Sequence, residues 1–164
     1  MLEGARTGPL VRAAAEGLAV ECFGTRYVVK ATGAETGGRV GLFEGHVPPG
    51  EGPPMHLHRR EDEIFHTVEG RFRIWCGDRA WDVEPGGVVF LPKGVPHTFR
   101  NLGPGTGRLL TTVAPGGFEG FFPLVAERGL TIPGDMPALQ ELAAAFGLEF
   151  VGPPPWAGDA PEEE

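Results

Sequence analysis

The sequence predicts an all-β domain, an antiparallel sandwich or barrel with short helices after it, and three observations lead there. Short β-branched and aromatic runs recur between about residues 20 and 115. Gly and Pro interrupt them at regular intervals, with 27 Gly and 17 Pro among 164 residues. Hydrophobic residues make up 41% of the chain and the formal net charge is only -8. That is enough apolar side chain to bury one core, so the Gly and Pro content marks turns rather than disorder.

The elements follow in order. Leu10 to Leu18 is compatible with a short helix ended by Gly17. Strands are predicted at Tyr27–Lys30, Gly41–Glu44, Ile64–Val68, Arg71–Trp75, Val88–Leu91 and Leu109–Val113. Turns separate them at Gly37-Gly38, Pro48-Pro49-Gly50, Glu69-Gly70, Gly77-Asp78, Pro85-Gly86-Gly87, Pro92-Lys93-Gly94 and Gly103-Pro104-Gly105. A helix is predicted over Phe118–Arg128, closed by Gly129. A second has Asp135 as N-cap, Pro137 in its first turn, Leu139, Leu142, Ala143 and Phe146 on one face, and Gly147 at its C-terminal cap. One domain is expected over 1–164: a barrel core at about 20–115, a helical extension at about 116–150 and a flexible acidic tail over 153–164.

Composition removes several function classes. The chain has no serine, which eliminates every serine nucleophile, and it has no phosphate-binding Gly-Lys-[Ser/Thr] loop. Cys22 and Cys76 lie far apart, which suits reduced, structural thiols better than a disulfide framework. An acidic balance with scattered basic residues argues against a nucleic-acid partner. No apolar run approaches the roughly 20 residues that span a bilayer, so no membrane segment is expected. Met1-Leu2-Glu3 lacks a basic start and no continuous apolar stretch precedes Arg12 and Glu16, so a cytoplasmic location is expected.

The chemistry lies with the histidines. In His56-Leu57-His58 the imidazoles are two residues apart, so on an extended strand they leave one face about 6–7 Å apart and can converge on one ion. Arg59 to Asp62 is long enough to reverse the chain and return Glu63 beside the pair, and His97 must arrive from a distant strand after the turn Pro92-Lys93-Gly94-Val95-Pro96. Imidazoles with one carboxylate suit one divalent transition metal ion, Fe, Mn, Ni, Cu or Zn, with no thiolate to choose among them. A His-x-His pair alone, however, is more often an ordinary surface or core pair.

The framework around the pair resembles the cupin superfamily. The first cupin motif is Gly, five residues, His-x-His, four residues, Glu, six residues, Gly, matched by Gly50, His56, His58, Glu63 and Gly70. The second is Gly, five residues, Pro-x-Gly, two residues, His, three residues, Asn, matched by Gly86, Pro92, Gly94, His97 and Asn101. Residues 71–85 separate them, the short spacing of small bacterial cupins. The resemblance implies a double-stranded β-helix, or jelly-roll barrel, with His56, His58, Glu63 and His97 as metal ligands and Asn101 as a structural residue. With Glu63 inward, strand alternation turns Phe65 and Thr67 inward and Ile64, His66 and Val68 outward, while His97 brings Phe99 inward. Phe65, Thr67 and Phe99 are the expected substrate pocket.

Other groups have plainer expectations. His66 reads as a packing or interface histidine, and His46 as a loop-end histidine in water or in a dimer contact. Arg59-Arg60-Glu61-Asp62 reads as an exposed hairpin tip with solvated charges, and Phe118, Phe121 and Phe122 as core of the post-barrel helix rather than a substrate lid.

Together with Pro115-Gly116-Gly117-Phe118-Glu119, the motifs are most similar to small proteins related to quercetin dioxygenases. The resemblance implies oxygen-dependent cleavage of an enol or catechol-like small molecule, with Glu63 as proton acceptor. Characterised flavonol dioxygenases are often two-barrel chains, whereas this chain has one motif pair. The alternatives are a non-oxidative metal-dependent isomerase or lyase, and a non-catalytic ligand-binding cupin. Exposed edge strands lead us to expect a homodimer.

Overall fold

Alternation along single strands decides which residues enter the barrel. In Asp62–Glu69 the side chains of Glu63, Phe65 and Thr67 are buried while those of Ile64 and His66 are exposed, as period-two patterning requires. A computed structural model describes residues 8–158 of the chain. Its elements are β1 (Leu18–Cys22), β2 (Thr25–Ala31), β3 (Gly41–Val47), β4 (Met55–His58), β5 (Asp62–Glu69), β6 (Phe72–Cys76), β7 (Arg79–Val83), β8 (Val88–Leu91), β9 (His97–Asn101) and β10 (Gly107–Ala114), then α1 (Phe121–Arg128), α2 (Met136–Ala145) and β11 (Leu148–Gly152).

Two antiparallel sheets face each other in the order β1-β2-β3-β10-β5-β8 and β11-β4-β9-β6-β7. Neighbours in the sheets are mostly distant in sequence, the wrapped connectivity of a jelly-roll cupin barrel. The buried apolar residues form two clusters. One gathers Val47, Phe65, Phe72, Ile74, Leu91, Phe99 and Leu109 between the sheets. The other joins Tyr27, Val29, Phe43 and Val113 to Phe118, Phe121, Phe122 and Val125 and to Leu139, Leu142 and Leu148. Asn101 of the second motif is a strut, as expected. Its Nδ2 donates to Val47 O and Gly105 O, and its Oδ1 accepts from Gly103 N, at 2.9, 2.8 and 2.8 Å.

The structure corrects the sequence reading in four places. Residues 10–17 form no helix: Lys30 Nζ donates to the carbonyls of Ala14 and Glu16, and Arg12 pairs with Glu35, so the segment is held irregularly against the barrel. The helical extension stops at Ala145, and Leu148–Gly152 is a strand because the edge of β4 offers it a ladder, Leu148 opposite His58 and Phe150 opposite His56. Asp135 occupies the N-cap position of α2, yet its carboxylate accepts from Thr131 N and Oγ1 instead of from the helix. Residues 153–158 are not a free tail. Trp156 packs on Trp75 with ring centroids 5.1 Å apart and lies beneath the Arg100 guanidinium. Residues 159–164 of the expected acidic tail lie outside the described residues.

Candidate metal centre

Three strands and one turn assemble the site. β4 places His56 and His58 on the inner face with ring centroids 5.5 Å apart. After the reversal at 59–61, β5 returns Glu63 beside them. His97 opens β9 directly opposite His56 in register, ring centroids 4.6 Å apart. The turn that delivers it depends on Gly94, whose φ of 79° is a left-handed conformation that other residues adopt reluctantly. Gly94 N–H donates to His58 O at 2.7 Å, tying the delivery turn to the strand that carries the first two histidines.

All four side chains are buried, and one ligand atom from each lies within 4.8 Å of every other. His56 and His97 present Nε2, because their Nδ1 atoms are engaged elsewhere, and His58 directs Nε2 toward Glu63. His56 Nδ1 donates to Pro54 O at 2.8 Å and His97 Nδ1 to Val95 O at 3.0 Å. His58 Nδ1 faces Glu61 Oε2 at 3.4 Å. Glu63 Oε2 contacts His97 Nε2 at 2.6 Å and His58 Nε2 at 3.3 Å.

Burial depresses the basicity of His56 to about 3, helped by the neighbouring His97 and His58, so this imidazole is neutral with a free lone pair. Burial alone would raise the Glu63 carboxyl, but the His58 charge and the His97 hydrogen bond outweigh it and hold the group down at about 2. The same opposition acts on His97, where burial lowers and the Glu63 hydrogen bond raises, with a net increase.

The residues fit a divalent ion on two grounds. His58 Nε2 is fully buried without a hydrogen-bond partner, an arrangement that costs free energy unless something accepts its lone pair. The donor set, three imidazoles and one carboxylate, matches the preference of borderline divalent transition ions.

Three of the four, His56, His58 and Glu63, lie in the wall of a cavity of about 280 Å³. Phe65 and Phe99 line it as expected, but Thr67 does not, being buried deeper on the same strand face. Phe118, Phe121 and Phe122 belong to the apolar core, and they also form cavity wall, with the Phe118 ring edge-on to His58 at 4.3 Å. Tyr27 and Phe43 contribute as well, stacked or tilted on Phe122. The sequence reading missed both, although the alternation of Tyr27 and Val29 was the available signal.

Two polar residues also depart from expectation. Glu61 was assigned to a solvated tip and is only 4% exposed. Its offset of two from the inward Glu63 is the signal that the charge run concealed. His46 sits within β3 and bonds Glu44 Oε1 at 2.8 Å instead of lying at a loop end. His66 is exposed on the outer face of β5, where strand alternation places it.

Comparison with known proteins agrees with this geometry. The cupin domain family model matches residues 43–113, which contain all four candidate ligands. An uncharacterised protein of Methanocaldococcus jannaschii is 31% identical over 62 residues, 38% of this chain and 50% of that one. Quercetin 2,3-dioxygenase of Bacillus subtilis is 26% identical over 94 residues, 57% of this chain and 28% of the enzyme. This chain thus spans half or less of the length of either relative. The crystal structure of an RmlC-like cupin from Shewanella frigidimarina superposes with a TM-score of 0.58 at 17% identity, covering 67% of this chain and 94% of that one, a likeness of fold. The jelly-roll topology, the two complete motifs and the family match together identify residues 43–113 as a cupin domain.

Proposed function

We propose that this chain is a metal-dependent enzyme that cleaves an enol or catechol-like small molecule with dioxygen. One observation carries the reading: four buried side chains with metal-ligand atoms converge, and three of them, His56, His58 and Glu63, line an aromatic cavity large enough for a small organic molecule. A divalent ion held by His56, His58, Glu63 and His97 would supply Lewis acidity and, for Fe, Mn, Ni or Cu, one-electron chemistry.

The chain's own residues do the rest. The Glu63 carboxyl is held low and is therefore ionised at neutral pH, so it can take the proton released when a substrate hydroxyl ionises beside it. Phe43, Phe65, Phe99 and Phe118 bind an apolar carbon frame and keep water out. Among the described residues no Lys or Arg lines the cavity, so a second anionic group would be buried without a counter-charge. That favours a substrate with one acidic hydroxyl and a largely apolar body. The name of the B. subtilis relative supports the oxidative reading.

The test is anaerobic loading with Fe, Mn, Ni, Cu or Zn, addition of a panel of flavonols, catechols and enolised diketones, and then admission of oxygen. Oxygen uptake matched to substrate loss in at least one metal form is expected. Turnover without oxygen would reassign the site to an isomerase or lyase in which Glu63 shuttles a proton. Tight binding of an unchanged ligand would reduce the protein to a binding module.

A further inference from the structure

The three imidazoles aim the same nitrogen inward and differ in what holds the other one. For His56 and His97 the anchor is a backbone carbonyl two residues upstream. His58 has no such carbonyl. Its Nδ1 faces the Glu61 carboxylate at 3.4 Å, with side-chain exposures of 1% and 5%, and neither His58 Nδ1 nor Glu61 Oε2 has a formed hydrogen bond to any group.

Glu61 reaches the interior because the residues around it are fastened elsewhere. Arg59 turns out to pair with Glu149, and Arg60 Nη1 donates to Ala145 O at 3.0 Å. On the other side Asp62 accepts from Lys93 N at 2.9 Å. A reversal pinned at residues 59, 60 and 62 leaves Glu61 facing the barrel, two residues before Glu63. A carboxylate placed there without a donor would carry the full penalty of an unmet buried polar group.

We propose that Glu61 is a positioning residue of the metal centre: its carboxylate accepts the His58 Nδ1 proton and fixes the tautomer that leaves Nε2 as the ligand atom. At 3.4 Å the contact is looser than a charge-assisted hydrogen bond of about 2.8 Å, and a small rotation of Glu61 closes it. Phe118, edge-on at 4.3 Å, restrains the imidazole ring on another side, so the carboxylate and the aromatic edge together set its orientation. A carboxylate behind a ligating histidine is a general way to raise ligand basicity and hold ring orientation. The inference rests on the reading of His56, His58, Glu63 and His97 as a metal centre.

The experiment is competitive titration of the full chain with Co(II) against a chromophoric chelator, for wild type, Glu61→Gln and Glu61→Leu, with visible spectra of the Co(II) forms. Gln keeps volume and an oxygen acceptor but loses the charge, whereas Leu keeps volume alone. Affinity should fall about 10-fold for Glu61→Gln and about 100-fold for Glu61→Leu, with altered Co(II) bands in both. Unchanged affinity and spectra in a folded Glu61→Gln would overturn the proposal. Should the variants fail to fold, the imidazole nitrogen NMR spectrum of Zn(II)-loaded wild type decides. A proton on His58 Nδ1, shifted downfield, supports the role, and an unprotonated Nδ1 refutes it. Wild type that binds no Co(II) would instead remove the metal centre itself, an outcome separate from tight binding indifferent to Glu61.

Discussion

His97 and Asn101 show how two residues of one short strand can serve different ends. His97 lies 34 residues from Glu63 and meets it at 2.6 Å, so His97→Ala removes one of four candidate ligands. Metal content by elemental analysis should drop from about one ion per chain to a small fraction of that, since three-ligand retention requires the remaining geometry to be rigid. A full complement of ion in that variant would count against the ligand set. Asn101→Ala strips hydrogen-bond partners from two carbonyls and one N–H around a residue 1% exposed. It should cost about 2–4 kcal/mol, read as a fall of roughly 5–15 °C in the calorimetric Tm. An unaltered Tm would make Asn101 dispensable. At this scale the ligands were legible because a period of two is a property of the strand itself. Glu61 was not, because a run of four charged residues reads as solvent until the fold shows which of them is aimed inward. His46 escaped for a similar reason, its partner Glu44 becoming its neighbour only when β3 is extended.

Strands with long apolar runs could be read directly, and the two helices could be read from their glycine ends. Gly129 closes α1 in the left-handed conformation that a helix C-terminus favours. Short or exposed strands were harder. β7 keeps most of its residues exposed, Trp81 included, and carries no burial alternation to detect. β11 is a strand only because β4 needs a neighbour. By pairing Leu148 with His58 and Phe150 with His56, it shields the edge of the strand that holds two ligands. A chain ending at Gly147 should therefore expose that edge, lower soluble yield several-fold and lose metal, measured by size-exclusion recovery and elemental analysis. Equal recovery and full metal content would show that β11 contributes nothing to the site.

Over the whole molecule, ion pairs outside the site govern response to acid. Glu35 is held down at about 2, chiefly by its hydrogen bond from Arg12 and then by Thr32. Burial would raise Glu44, but the Arg108 hydrogen bonds and charge outweigh it and lower the group. A carboxyl depressed in the folded state adds stability that is present above its unfolded value near 4.3 and is lost as pH falls through the folded value. Thermal stability should thus decline between about pH 4.5 and 2, and Arg12→Gln should flatten that slope without affecting stability at pH 7 by more than about 1 kcal/mol. A slope identical to wild type would detach Glu35 from acid unfolding. Membrane crossing by helices is not part of this architecture, since no helix among the described residues is long and apolar enough to span a bilayer.

The sequence by itself determined the β-rich class, the two motifs and the four candidate ligands. Those depend on local rules: strand periodicity, turn chemistry and the donor preferences of metal ions. Only the tertiary structure decided that Glu61 stands behind His58, that Phe118, Tyr27 and Phe43 wall the cavity, and that residues 148–156 fold back over β4 and Trp75. Apart from the Glu61 contact, these join segments far apart in the chain, and nothing in a side chain's own neighbourhood along the chain records which distant surface it will meet once burial has drawn the two sheets together.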